Sequence, residues 1–223
     1  MKKYRLTDET NSLGLHRIEA LIDGPWGPAG TKGGWIESEA NLSQDGICWV
    51  ADDAQVCSQA WVSGNGMVWG KAQVFGRAQV CGESEVYGNA KIFDYAQIYG
   101  YAQVFEEAQV HEKAKVFGAA QVYGAAQVSG EVHVRGDAIF RAQAKICETT
   151  DYLLLGPMGS RDAILTVYRT LDGVRFATGC FDGTVAEFFE AIERTHGDSL
   201  YAKQYRAALM YATAMMELSL AAN

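Results

Sequence analysis

Four histidines, five cysteines and a glycine-proline segment followed by arginines are the side chains of this chain that could do chemistry. Gly156-Pro157-Met158-Gly159-Ser160-Arg161 could set backbone N–H groups, a hydroxyl and a guanidinium around an anion, with Arg169 and Arg175 as further donors from neighbouring strands. An ordinary turn flanked by solvated arginines is the competing reading of the same residues. The histidines at 16, 111, 133 and 196 stand apart in sequence, and no nucleophile, base and orienting group fall into a set. His196 precedes Gly197, where a cation at a helix end favours the dipole. The cysteines at 48, 57, 81, 147 and 180 form no CxxC pair, and no metal-ligand spacing appears among them. Glu106, Glu107, Glu112 and Glu131 are spread out and read as a solvated face.

The elements that must position these groups are set by a period of six. From Val50 to Ile146 every sixth residue is valine or isoleucine, sixteen times in seventeen, with Phe140 the exception. Two residues earlier stands a small side chain, usually alanine, as in Ala72, Ala78, Ala90 and Ala96. A spacing of two puts both on one face of a short strand, and the residue between them, often glutamine, on the other. Two places after the valine a glycine recurs, at 70, 76, 82, 88, 100, 118, 124, 130 and 136, which supplies a bend at little steric cost. Strands this short cannot bury their apolar face alone, so successive units must coil and stack as a parallel β-solenoid.

These residues resemble the hexapeptide-repeat family. The resemblance implies left-handed parallel β-helices with three sides and eighteen residues per coil, here five to six coils. In this chain the glycine falls one place later than the family's usual order, as in Val74-Phe75-Gly76-Arg77-Ala78-Gln79. Spaced by eighteen, the residues after each inward valine form columns: Trp69, Tyr87, Phe105 and Tyr123; Phe75, Phe93 and His111; Cys81, Tyr99 and Phe117. They point outward and predict aromatic ribs, which either stiffen the corners or meet a partner.

Residues 1–47 lie outside the period and read as an N-terminal cap, residues 48–148 as the solenoid, and residues 151–223 as a small α+β domain. Tyr152 to Leu155, Ala163 to Thr170 and Val174 to Phe181 carry strand patterns. Thr184 and Glu187 form a capping box for a helix with Val185, Phe188, Phe189 and Ile192 on one face. Gly197 can end that helix and Asp198 can cap a second, running to about Leu220 with Tyr201, Tyr205, Ala208, Ala212 and Met215 along one face. The fold class is mainly β.

A net charge of -8 excludes phosphate-backbone binding as the default, so nucleic acid is demoted as a partner. No apolar run approaches a membrane span, Met1 to Asp8 lacks a secretory core, and the odd number of cysteines points to the cytoplasm. Lys3-Tyr4-Arg5-Leu6-Thr7 with Gly33-Gly34-Trp35-Ile36-Glu37, and the tail Gly179-Cys180-Phe181-Asp182-Gly183-Thr184, resemble uncharacterised phage and bacterial hexapeptide proteins of the YdcK-like group. The outward aromatic ribs, with the trimeric habit that the hexapeptide-repeat resemblance implies, predict a homotrimer. The expected function is a non-enzymatic binding protein without cofactor or metal, whose Ser160, Arg161, Arg169 and Arg175 meet a small anionic ligand. A phage counter-defence role against a host protein or an anionic signal is one form of it. The alternative, implied by the same family, is an acyltransferase with a histidine, His111 or His133, at an inter-subunit cleft.

Overall fold

A computed structural model describes residues 2–217. Three antiparallel strands come first: β1 (Tyr4–Thr10), β2 (His16–Ala20) and β3 (Lys32–Ile36). Seventeen two-residue strands follow at intervals of six, from β4 (Trp49–Val50) to β20 (Lys145–Ile146). They form three parallel columns in which every partner lies eighteen residues away, Gln73 beside Lys91 and Ile92 beside Val110. The chain is therefore a β-solenoid of about six turns, as the period requires. Amides donate across coils seventeen residues on, Gln73 N to Ala90 O at 2.9 Å and Phe93 N to Val110 O at 3.0 Å.

The inward valines and the small residues two places before them have no solvent exposure across the middle coils. Facing apolar slots fill the interior, and the second slot of each strand is mostly alanine, with Val132 the largest residue in it, because two large side chains in every strand would overpack the coil. Phe140 departs from Val/Ile in the last coil for a reason outside that coil. Its ring meets Tyr152 edge-on at 5.3 Å and Tyr168 at 5.6 Å, so it joins the solenoid core to the C-terminal sheet.

The corner lies at the second residue after each valine, where the glycines have φ near +70°, Gly76 at 69° and Gly118 at 74°. A Cβ on Gly118 would stand 2.8 Å from the Gly136 amide of the next coil. At four of the corners that lack glycine an acidic residue takes the left-handed conformation, Asp52, Asp94, Glu106 and Glu112 with φ between 54° and 58°, and at two others Ser58 and Ala142 do so at 59° and 51°. Each carboxylate accepts from the backbone amide of the corner one coil on, Glu112 from Gly130 N and Glu106 from Gly124 N at 2.8 Å. Those contacts offset the strain of φ > 0. Glu106 and Glu112 are thus corner ligands and not merely a solvated face; Glu131 pairs with Lys113 at 2.6 Å, and Glu107 stays exposed. Glu112→Ala is expected to lose about 1 kcal/mol in urea denaturation, because alanine keeps the strain and loses the bond. Glu112→Gly, which relieves the strain, is expected to lose less.

The N-terminal strands continue one column of the solenoid, β3 pairing parallel with β5 (Gln55–Val56). This covers a sheet end that would otherwise present unpaired backbone groups. Trp49 of the first coil is 1% exposed, under a stacked Trp26 at 4.6 Å and an edge-on Tyr4 at 6.3 Å.

At the other end stand β21 (Tyr152–Met158), β22 (Ala163–Thr170), β23 (Gly173–Thr178) and β24 (Phe181–Thr184), an antiparallel sheet in sequence order. The pattern read as one strand from Val174 to Phe181 is two, because the chain turns at Gly179-Cys180. Alternation then divides the sheet. Thr166, Tyr168 and Ala177 face the solenoid, where Thr166 Oγ1 accepts from Ile139 N at 3.2 Å. Leu165, Val167 and Phe176 face the helices α1 (Val185–His196) and α2 (Leu200–Met215).

Thr184 and Glu187 form the expected capping box, and backbone hydrogen bonding at Thr184 holds the Glu187 carboxyl below its ordinary pKa. Gly197 ends α1 at φ 51°, but Ser199 caps α2, since the Ser199 hydroxyl accepts from Ala202 N. The expected extension beyond residue 217 lies outside the described residues. Tyr205, Ala208 and Ala212 are buried as predicted, while Tyr201, Met215 and Phe189 face solvent; Ala202 and Leu209 take the inner face instead.

Candidate functional site

The segment containing Ser160 and Arg161, the Gly179-Cys180 turn and the last turn of α1 enclose a cleft of about 410 Å³. Three separate stretches of chain therefore build it. Phe181, Phe188 and Ile192 supply an apolar floor, and the rim carries Arg161, Arg194 and His196 with no carboxylate among the lining side chains. The His196 ring stacks on Tyr205 at 5.5 Å, which fixes the ring against α2. The turn that carries Cys180 is tied to the solenoid, because Arg141 Nη2 donates to Gly179 O at 2.9 Å. Arg141 in turn lies over Tyr123, the last ring of the Trp69 rib. Two guanidinium groups and an imidazole over an apolar floor, open to water, can hold a small anion that also carries an apolar part.

The structure does not bring the expected arginines together. Ser160 and Arg161 line the cleft, but Arg169 is turned to Asp151, 3.4 Å away, and to the Met216 carbonyl at 3.3 Å. Arg175 is on the other face of the sheet, where its Nε donates to Asp182 at 2.9 Å and Tyr168 Oη donates to the same carboxylate oxygen at 3.1 Å. The period of two along a strand separates 169 from 175. Bonding to Asp182 holds the Arg175 pKa above its ordinary value, and burial, then Asp182, pushes the Tyr168 hydroxyl well up. Arg175 lines a second cleft, between the sheet and the last coils, with Thr170, Asp172 and Gln143. Arg194, Cys180 and Tyr205 were not legible as site members; the signal for Arg194 was the pair of basic residues, Arg194 and His196, in the last helical turn.

The two candidate catalytic histidines are separate as well. His111 stacks on Phe93 at 4.7 Å and stands 3.9 Å from Glu112. His133 is exposed on the flat of another column, edge-on to Phe117 at 6.4 Å, with its backbone carbonyl accepting from Tyr152 Oη at 2.6 Å. His16 Nδ1 lies 3.0 Å from Thr7 O within the cap. Among the described residues no group of three or more His, Cys, Asp or Glu side chains could hold a metal, and no helix is long and apolar enough to cross a membrane.

The aromatic ribs are stacks. Trp69, Tyr87, Phe105 and Tyr123 follow one another at 4.2, 4.8 and 4.6 Å, Phe75 lies on Phe93 at 5.0 Å, and Tyr99 on Phe117 at 4.8 Å, all nearly parallel. Each ring hides its faces against its neighbours, so the ribs are half-buried apart from Trp69 at the end.

The period of six, the three columns in register at eighteen and the capped ends define a β-solenoid built of six-residue units, which fits a hexapeptide-repeat protein. In keeping with that, the chain is similar to the "Uncharacterized acetyltransferase YdcK" of Escherichia coli (strain K12), 36% identical over 77 residues. The match covers 29% of this chain and 24% of that relative. No protein-family model matches.

Proposed function

We propose that this chain is a non-enzymatic binding protein, a rigid solenoid carrying a C-terminal module whose cleft takes a small anion. The observation that carries this reading is the rim of Arg161, Arg194 and His196 without a carboxylate, above an apolar floor. An anion there meets charge-assisted hydrogen bonds, and its apolar part leaves water. Sequestration of an anionic signal is the use that suits such a cleft, and a counter-defence protein of a phage is one setting for it; docking on a host protein is the other. A homotrimer belongs to the same proposal, with only ring edges of the ribs left to meet a second copy.

A second reading is acyl transfer between subunits, favoured by the acetyltransferase name of the relative. Thermal melting with a panel of signalling nucleotides, small aromatic carboxylates and acetyl-coenzyme A separates the two. A ligand at a hundred times its Kd adds about 2.7 kcal/mol to stability, a shift that such a measurement resolves. The expected result is a rise with one of the nucleotides or carboxylates and none with acetyl-coenzyme A. A rise with acetyl-coenzyme A that His111→Ala or His133→Ala abolishes would establish the transferase instead.

A further inference from the structure

A buried pair of reactive side chains lies at the other end of the solenoid from the cleft. Lys3, at the entry to β1, is 2% exposed, and Cys48, in the first coil, is fully buried. Lys3 Nζ stands 3.2 Å from Cys48 Sγ and 2.9 Å from the Cys48 carbonyl, with the carbonyls of Asp45 and Gly46 at 3.4 Å. The Trp26 ring covers it at 5.5 Å. Among the described residues no carboxylate pairs with this amine, so its nearest reactive neighbour is the thiol. Cys48 occupies the small inward slot two residues before Val50, and no other coil puts a thiol in that slot.

We propose that Lys3 and Cys48 are a site of oxidative modification, at which dioxygen joins Nζ to Sγ through a single oxygen atom. The ammonium and the thiol together carry four hydrogens, of which two leave in water, one is released as a proton and one stays as the N–H. The O–O bond breaks, N–O and O–S bonds form, and nitrogen and sulfur each give two electrons to dioxygen, whose second atom becomes the water. An inserted oxygen spans the 3.2 Å gap with less movement than a direct N–S bond would need. Dioxygen is small and apolar, which suits a pair with almost no water contact.

The bridge would close a loop of 45 residues between the cap and the first coil. Cross-links of that kind restrict the unfolded chain and stabilise the end that they fasten. This inference is independent of the anion cleft and of any activity there.

Peptide mapping by mass spectrometry of the full chain, kept reduced or exposed to dioxygen, tests it. The expected result is a linked pair of peptides containing residues 3 and 48, heavier than their sum by one oxygen and lighter by two hydrogens. Trypsin no longer cuts at Lys3 in that species, and dithiothreitol restores both peptides. Cys48→Ala and Lys3→Arg are expected to lack it; the first restores the alanine of the repeat, so that variant keeps its fold. The melting transition of the exposed wild type is expected several degrees above that of the reduced protein, with no such difference in Cys48→Ala. Recovery of residues 3 and 48 only in separate unmodified peptides, after exposure that has oxidised the surface Cys180, overturns the proposal. So does a linked pair without the oxygen.

Discussion

Removal of eighteen residues, Lys91 through Ala108, is expected to leave a folded, cooperatively melting protein one coil shorter. The cut joins Ala90 to Gln109, so the hexad Ala-Gln-Val continues without a shift. Each column then loses one strand and keeps its register, with Gln73 beside Gln109 where Lys91 stood. The ribs close up in the same way, Tyr87 onto Tyr123 and Phe75 onto His111. In a stacked repeat the stability is a sum over units and their neighbours, so one coil fewer lowers it without abolishing it. Removal of three residues, Lys91 through Phe93, is expected to do far more damage although it deletes a sixth as much. That coil would have fifteen residues for three sides, Ile92 would be gone, and Val74 and Val110 would face a gap. Each exposed or deleted aliphatic side chain costs about 1.5–3 kcal/mol, and several together approach the roughly 5–15 kcal/mol that holds a domain folded. Circular dichroism melts of the two deletions decide it. If the eighteen-residue deletion melts as early as the three-residue one, the register argument fails.

The same register explains why so much of this fold could be read before any coordinates. A strand, a bend and a six-residue count are local, and each hexad repeats the instruction, so Val74 and Val128 carry the same information. The C-terminal sheet has no such redundancy. Its turn at Gly179-Cys180 lies inside what alternation alone reads as one strand, and its helix cap lies at Ser199 beside an equally plausible Asp198. The cleft was harder still, because Arg161, Cys180 and Arg194 meet only after the sheet and α1 have packed. Sequence proximity made Arg169 and Arg175 look like companions of Arg161; strand alternation places one at Asp151 and the other at Asp182. The ribs carry a related lesson. A column of aromatics at a spacing of eighteen predicts stacking as readily as exposure, and stacking at 4.2–5.0 Å is what the coil separation of a β-solenoid imposes.

Arg161→Ala together with Arg194→Ala is expected to abolish anion binding at the cleft while leaving the melting temperature of the free protein nearly unchanged. Both side chains are exposed, and neither takes part in an ion pair among the described residues, so their truncation removes little that holds the fold. A hydrogen bond to a charged group contributes on the order of 1.5–3 kcal/mol, and each 1.4 kcal/mol is tenfold in affinity, so each arginine is expected to account for roughly ten- to a hundredfold. Losses of two groups on one ligand need not add. Isothermal titration with the anion that raises the melting temperature of the wild type gives the numbers. Arg169→Ala and Arg175→Ala serve as the contrast, because their partners are Asp151, the Met216 carbonyl and Asp182. They are expected to lower stability and leave the affinity within a few fold. Should the pattern invert, with Arg161 and Arg194 dispensable and Arg175 essential, the ligand occupies the cleft between the sheet and the last coils, where Arg175 faces Thr170 and Gln143. Wild-type affinity in all three variants would instead remove the C-terminal module from the binding reaction and leave the solenoid surface as the working part.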